Sequence, residues 1–311
     1  MQANFSSLQN FFSKSDPYEW ESLTQQFGEE IFLIDHNLIT SLIKPRPLNG
    51  HKGTFGHALI IAGDEQTPGA SILCAHAALR TGCGLLTAII PQIAVAPLLS
   101  KLPEAMIVLK DESFFSGSFD YSRYQSIGFG PGAGTSSQTT QLLHTLLSTH
   151  QSTLVIDADG LNILSQNKSW YSLLNKNSVL TPHPVEFDRL TRKHKSEMDR
   201  VRSQIKFARQ YGITVLVKGH HTVVISNKGI YFNTTGNNGM ATAGSGDVLA
   251  GIITSLCAQG YDAGEAALIG VYMHGYAGDI AAGNMSMHSM IATDIIDALS
   301  HVFLKYEQQQ I

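Results

Sequence analysis

From His57 onward, short continuous apolar runs alternate with longer stretches whose apolar positions recur at helical spacing. Ala58–Ala62 (ALIIA), Leu85–Ile90, Ile127–Gly130, Leu154–Ile156, Val179–Thr181 and Val215–Val217 predict short strands buried on both faces. Between them, Ala70–Arg80 and Gln138–Leu147 predict helices. His221–Ser226 and Ile230–Asn233, joined by Asn227–Gly229, predict an antiparallel hairpin in which Gly229 is free to take positive φ. The last third predicts three helices, Asp247–Gln259, Ala263–Ala282 and Thr293–Lys305, the last opening on Thr293 and Asp294. Further upstream, Ile31–Leu42 carries a short helical pattern with Asp35 or Asn37 as cap, and Pro45 and Pro47 end it. Buried strands alternating with helices predict an α/β fold: a mostly parallel central sheet between two helical layers, with one antiparallel hairpin added.

Residues 1–30 are polar and aromatic without periodicity and read as an N-terminal extension to a single domain over residues 31–311. No fixed-period repeat or low-complexity linker divides that domain. Of 311 residues, 43% are hydrophobic, and 25 acidic against 21 basic side chains give a net charge of −4. That balance argues against a broad nucleic-acid surface and leaves room for a local phosphate site. Cys74, Cys83 and Cys257 are odd in number, lack CxxC spacing and read as free thiols. With no membrane span and no targeting pattern, the expected location is the cytoplasm.

The chemistry concentrates in Asn237–Gly251, NNGMATAGSGDVLAG. Gly244, Ser245 and Gly246 stand directly before an apolar helix, where small residues admit an anion and the first free N–H groups point at it. Asp247 falls in the first helical turn, placed either for catalysis or simply as a favourable helix-start residue. No Gly-Lys-Ser/Thr follows, so this is not a Walker A loop. In GFGPGAG, Gly128–Gly134, four glycines follow a strand; the run partly satisfies GxGxxA, but no acidic residue appears before Asp157, which argues against a Rossmann dinucleotide site. TPHPVEF stiffens a turn presenting His183 and Glu186, with His183 either a structural residue or facing a ligand and Glu186 open to the simpler role of favouring the next helix start. In VIDADGLN, Asp157 and Asp159 either face a metal or ligand or cap the following helix. KGHHT puts Lys218 at a strand end and Gly219 in a turn, either beside a ligand or as an ordinary hairpin approach; adjacent His220 and His221 would point to opposite faces, a poor metal pair.

Together, GMATAGSGDVLAGII, HKGTFGHALIIAG, PGASILCAHAALRTGCGLL, GFGPGAG, VIDADGLN, TPHPVEF and KGHHT resemble, in the same order, the NAD(P)H-hydrate dehydratases of the ribokinase-like superfamily. The resemblance spans about residues 31–305, with Ala243 where many relatives have Gly and Cys83 where Ala is usual. It implies a ribokinase-like three-layer α/β/α fold and repair of NADHX and NADPHX, in which water has added across the nicotinamide C5–C6 bond. A nucleotide, ADP or ATP, phosphorylates the C6 hydroxyl of the (6S) form, and loss of phosphate restores NADH or NADPH. The resemblance further implies Asp247 as the base and Ala243, Gly244, Ser245 and Gly246 as the anion hole. Ala70, Gly134, His183 and Asp247 would contact the hydrated dinucleotide; Lys218, Gly219, His220, His221, Thr222 and Gly246 would contact the nucleotide. Mg²⁺, a homo-oligomer (often a tetramer in this family) and a separate epimerase are implied as well. A superfamily kinase of a vitamin-precursor alcohol and a non-catalytic nucleotide sensor are the competing expectations.

Overall fold

The computed structural model describes residues 31–149, 151–219 and 221–308; the extension expected over residues 1–30 and His220 lie outside them. In chain order the elements are β1 (Ile31–Ile34), α1 (His36–Leu42), β2 (His57–Ile61), α2 (Pro68–Arg80), β3 (Leu85–Ile90), α3 (Gln92–Lys101), β4 (Met106–Leu109) and α4 (Glu112–Ser116). Then come β5 (Ser126–Phe129), α5 (Ser137–Thr149), β6 (Thr153–Ile156), α6 (Ala158–Gln166), β7 (Ser178–Leu180), α7 (Pro184–Leu190) and α8 (Glu197–Tyr211). The chain ends through β8 (Thr214–Val217), β9 (Val223–Ser226), β10 (Gly229–Asn233), α9 (Ser245–Ala258), α10 (Ala263–Asn284) and α11 (Ala292–Glu307). None of these helices is long and apolar enough to cross a membrane.

The strands form one ten-stranded sheet in the order β1-β10-β9-β8-β7-β6-β5-β2-β3-β4. β9 is antiparallel to both β8 and β10, and the other pairings are parallel. The expected hairpin is therefore present; its first strand starts at Val223 rather than His221, with the Thr222 carbonyl accepting the Asn233 amide at 2.9 Å just before it. Gly229, at φ 146°, takes the positive-φ conformation that the turn was expected to need. One expectation fails at the start of the domain. Ile31–Ile34 is not helical but a strand, paired in parallel with β10 and stacking Phe32 on Tyr231 at 5.1 Å. The helix starts only after Asp35, whose carboxylate accepts from the Leu38 amide at 2.9 Å, as its expected capping role requires.

Alternate strand residues serve opposite faces, which explains the unbroken apolar runs. Leu59, Ile61, Ile127, Phe129, Leu154 and Ile156 pack toward α5, α6, α7 and α8. Ala58, Ile60, Val155 and Val179 face the other way, toward α2, α9, α10 and α11. The chain runs outward from β2 through β3 and β4, then returns to β5 on the other side of β2 and continues to β8. A reversal of this kind opens a crevice at the carboxyl ends of the strands that flank it. The loops after β2 and β5 lie there, and Asp157, Pro182 and Lys218 follow β6, β7 and β8 at the same edge.

Helix α9 can reach the site only because it lies hard against α2. A Cβ at Gly251 would stand 2.2 Å from the Cys74 carbonyl oxygen and 3.1 Å from the Ala77 methyl. Gly251→Ala is therefore expected to lower stability by about 1–3 kcal/mol through overpacking, despite alanine's better helix propensity. Thermal unfolding checks this, and an unchanged or higher melting temperature would show that the two helices have room to part.

Candidate active site

The glycine turn is built by two constraints that exclude a side chain. Gly244 caps α9 at φ 88°, and a Cβ there would fall 2.4 Å from Leu73 Cδ1 and 3.1 Å from the Ala292 methyl. Its carbonyl accepts the Val248 amide at 3.0 Å, which starts the helix, and of the first-turn amides before it that of Ser245 donates to the Thr242 carbonyl at 3.4 Å. Ala243, exposed beside this turn, is not at positive φ, so its difference from the family's usual glycine carries no backbone strain. Ser245 is buried, with its hydroxyl 3.2 Å from His274 Nε2. Burial pushes the His274 imidazole down to about 4, so it is neutral at neutral pH.

Asp247 follows in the first turn, where the N-terminal dipole favours a carboxylate. Burial nevertheless dominates and, with repulsion from Asp157 and Asp159, pushes its pKa up to about 7; Lys218 opposes the shift. Asp157, 1% exposed, takes Lys218 as its ion-pair partner, with Nζ 2.7 Å from Oδ1. A Cβ at Gly246 would lie 3.3 Å from Lys218 Nζ and 3.7 Å from Asp157 Oδ2, so the pair sits directly over the glycine turn. The next residue, Ala158, has φ 45° and is the only non-glycine at positive φ among the described residues. Such a conformation costs about 1–3 kcal/mol and is retained where the surroundings require it. Here it turns the chain between the two aspartates.

The capping role left open for these aspartates is not what they perform. Asp157 makes no side-chain cap to α6. Asp159 accepts the Gly134 amide at 2.9 Å and the Asn162 side chain at 3.2 Å, tying α6 to the glycine-rich loop after β5. A Cβ at Gly132 in that loop would come 2.9 Å from the Ala70 methyl, and one at Gly134 3.0 Å from Asp64 Oδ2. Lys110, at the end of β4, clamps the loop by donating to the carbonyls of Gly63 at 2.9 Å and Ala133 at 2.7 Å. Ala70 and Gly134 thus belong to one wall, joined to the Asp247 cluster through Asp159.

The opposite side opens into a cleft of about 660 Å³. His183, Lys218, Gly219, Thr222, Ser245 and Gly246 all line it, as do Asn237, Met240 and His274. His183 also braces the local backbone, since its Nδ1 accepts from the Val185 and Glu186 amides while the Glu186 carboxylate accepts the His183 amide at 2.8 Å. Its side chain stays 46% exposed and lines the cleft while it caps α7. The Lys218 amide donates to the Pro182 carbonyl at 2.9 Å, which fixes the TPHP turn to the end of β8. His221 is half-buried and does not line the cleft. No cluster of three or more His, Cys, Asp or Glu side chains suited to a metal occurs among the described residues.

Sequence reasoning missed Lys110, His274 and the Asn233–Ala241 side of the cleft. His274 sits inside an apolar helix with no local signal, and Lys110 follows an edge strand that the apolar pattern did not predict. Asn237, by contrast, opens the same motif that holds Asp247 and was within reach.

Comparison with known proteins agrees with this geometry. A family model described as NAD(P)H-hydrate dehydratase matches residues 58–301. A bifunctional NAD(P)H-hydrate repair enzyme from Moorella thermoacetica is 38% identical over 92% of this chain and 56% of its own length, so the chain spans about half of that relative. An ADP-dependent (S)-NAD(P)H-hydrate dehydratase from Neisseria meningitidis is 40% identical over 77% of this chain and 81% of its own. Among solved structures, an ADP/ATP-dependent NAD(P)H-hydrate dehydratase from Bacillus subtilis, co-crystallised with ATP and Mg²⁺, superposes with a TM-score of 0.77 at 26% identity, covering 89% of this chain and 99% of that one. The ribokinase-like architecture expected from the sequence is therefore present. With a family model over residues 58–301, and a glycine turn, aspartate and strand-end lysine gathered at one edge of the sheet, the chain belongs to the NAD(P)H-hydrate dehydratase family.

Proposed function

We propose that this protein dehydrates (6S)-NADHX and (6S)-NADPHX, using ADP, or ATP, as phosphoryl donor. The observation that carries the reading is Asp247, a carboxylate with its pKa pushed up to about 7 at the start of a helix whose glycine turn faces a cleft. A base with this affinity for protons can take one from an alcohol as its oxygen attacks phosphorus, and hold it near neutral pH. The substrate lies against Ala70, Gly134 and His183 with its C6 hydroxyl at Asp247, while the nucleotide runs along Lys218–Thr222 and Gly246. The N–H groups of Ala243–Gly246 receive the transferred phosphoryl group, where preorganised donors stabilise the developing charge. Lys218 supplies a positive charge beside them. Phosphorylation turns a poor leaving group, hydroxide, into phosphate; its loss with the C5 proton restores the double bond. With ADP the products are NADH or NADPH, phosphate and AMP.

Mg²⁺ suits this site as a nucleotide-borne ion. Asp157 is engaged by Lys218 and Asp159 by Gly134 and Asn162, so the protein offers few free oxygens for a cage. Magnesium commonly keeps several waters and takes one or two carboxylates plus phosphate oxygens, and Asp157 is the nearest such carboxylate on the Lys218 side. Bound there, it would neutralise phosphate charge. In the same reading the protein works in the cytoplasm as a homo-oligomer, with the tetramer resting on the family resemblance alone. Epimerisation of the substrate is supplied outside residues 31–308.

Recovery of absorbance at 340 nm from NADHX, with ADP and ATP compared side by side, tests the reaction; a stable phosphorylated alcohol as product would instead identify a kinase. Asp247→Asn is expected to fold normally and to lose about 10²–10⁴-fold in turnover, the worth of a positioned base. In the unsubstituted protein, kcat/KM should rise with pH through about 7 as Asp247 ionises, and a profile flat from pH 5 to 9 would remove Asp247 from that role. The same carboxylate carries a stability prediction. Its folded pKa is raised, so its favourable contribution is complete below the ordinary aspartate range and is lost as pH rises through about 7. Asp247→Asn should therefore be more stable than the unsubstituted protein at pH 8, by on the order of 1–4 kcal/mol, with the gap closing toward pH 4. Denaturant unfolding at the two pH values checks it; equal gaps would mean the charge is not buried at a cost.

A further inference from the structure

The cleft wall facing Lys218 is a segment without regular strand or α-helix, Thr234–Thr242, and it lies directly on the backbone of α10. A Cβ at Gly275 would come 2.3 Å from Thr235 Oγ1, and one at Gly278 2.3 Å from Met240 Sδ. Beside these contacts, Asp279 reaches up from the helix. Its Oδ2 accepts the Gly236 amide at 2.9 Å and its Oδ1 accepts the Asn237 side-chain amide at 2.9 Å. Asn237 passes the restraint on, its own Oδ1 accepting the Gly239 amide at 3.0 Å. Gly236 is at φ 105°, a conformation that local preference alone would not hold for the whole turn. One carboxylate therefore fixes the backbone and the side chain of two consecutive cleft residues.

We propose that Asp279 is a positioning residue for nucleotide binding, acting through Gly236 and Asn237 rather than by touching the ligand. The inference rests on the reading that the nucleotide occupies the cleft along Lys218–Thr222. Asp279 itself does not line that cleft, whereas Gly236, Asn237 and Asn238 do, across from Lys218, Gly219 and Thr222. Of the residues placed on the substrate side, Ala70 and Gly134 do not line the cleft and His183 does, but His183 is braced by Glu186 and not by Asp279, so loss of this restraint should act on the nucleotide and spare the substrate. Gly275 lies one turn earlier on the face that carries Asp279, and His274 beside it meets Ser245, so the helix supports the anion turn through His274 and the cleft wall through Asp279.

The test is an equilibrium titration of ADP, with Mg²⁺, into the full chain, paired with steady-state kinetics. Asp279→Ala should weaken ADP binding about tenfold or more, the scale of losing two charge-assisted hydrogen bonds. The KM for NADHX should stay within about twofold and kcat at saturating ADP within about threefold, because the reacting groups are untouched. Asp279→Asn keeps one acceptor but turns a donor toward a second donor, so it should fall between, and it serves should the alanine variant not fold. Folded variants with unchanged ADP affinity, or an equal loss for both ligands, would overturn the proposal. An unsubstituted protein that does not bind ADP, or a Lys218→Met variant that binds it equally well, would instead overturn the placement of the nucleotide itself, and this inference with it.

Discussion

Placing a carboxylate in a partly dry pocket beside two others is unfavourable unless something offsets the repulsion, and the Asp247 cluster is arranged around that constraint. Asp157 and Asp159 both raise the proton affinity of Asp247, and Lys218 is the cation that limits the effect. Lys218 pairs with Asp157 at 2.7 Å, and at Asp247 its attraction is opposed by the repulsion from that same Asp157. The result is an aspartate whose pKa is pushed up to about 7. Removing either partner of the pair would leave an uncompensated charge under the glycine turn.

The fold supplies this arrangement through strand ends. Parallel strands place their carboxyl termini at one edge, so residues after β5, β6, β7 and β8 converge without any long loop. The helix α9 then points its N-terminus at the same edge, and its position is set by glycine contacts with α2 and Leu73 that no larger residue would permit. Strain at Ala158 and the capping box at His183 are local adjustments to the same convergence. Phosphate recognition here uses a helix start and a strand-end lysine supplied by different parts of the chain. In a Walker A loop one short motif supplies both.

Polar ties between loops hold the two walls of the site, of which the Thr234–Thr242 segment lines the cleft and the glycine loop lies outside it. Lys110 and Asp159 hold the glycine loop after β5, and α10 holds the opposite segment. The two walls thus hang on different elements, which lets one ligand site be altered while the other keeps its geometry. A reaction joining a nucleotide and a hydrated dinucleotide benefits from such separation, since each partner must be bound and released in its own right.

Local periodicity and glycine chemistry were sufficient to read the strands from β2 to β10 except β4, the later helices, and the turn that carries Asp247. These features depend on neighbours a few residues away, and that information is written along the chain. Ile31–Ile34 escapes such a reading because four apolar residues have no period of their own, and only the β10 edge makes them a strand. The Asp157–Lys218 pair spans 61 positions, Ser245 and His274 lie 29 apart, and Asp279 acts 43 residues from Gly236. The sequence by itself determined which residue types stand ready at the strand ends. Tertiary structure decided which carboxylate is paired, which has its proton affinity raised, and which merely braces a loop, because desolvation and charge pairing depend on separations in space that no local pattern records.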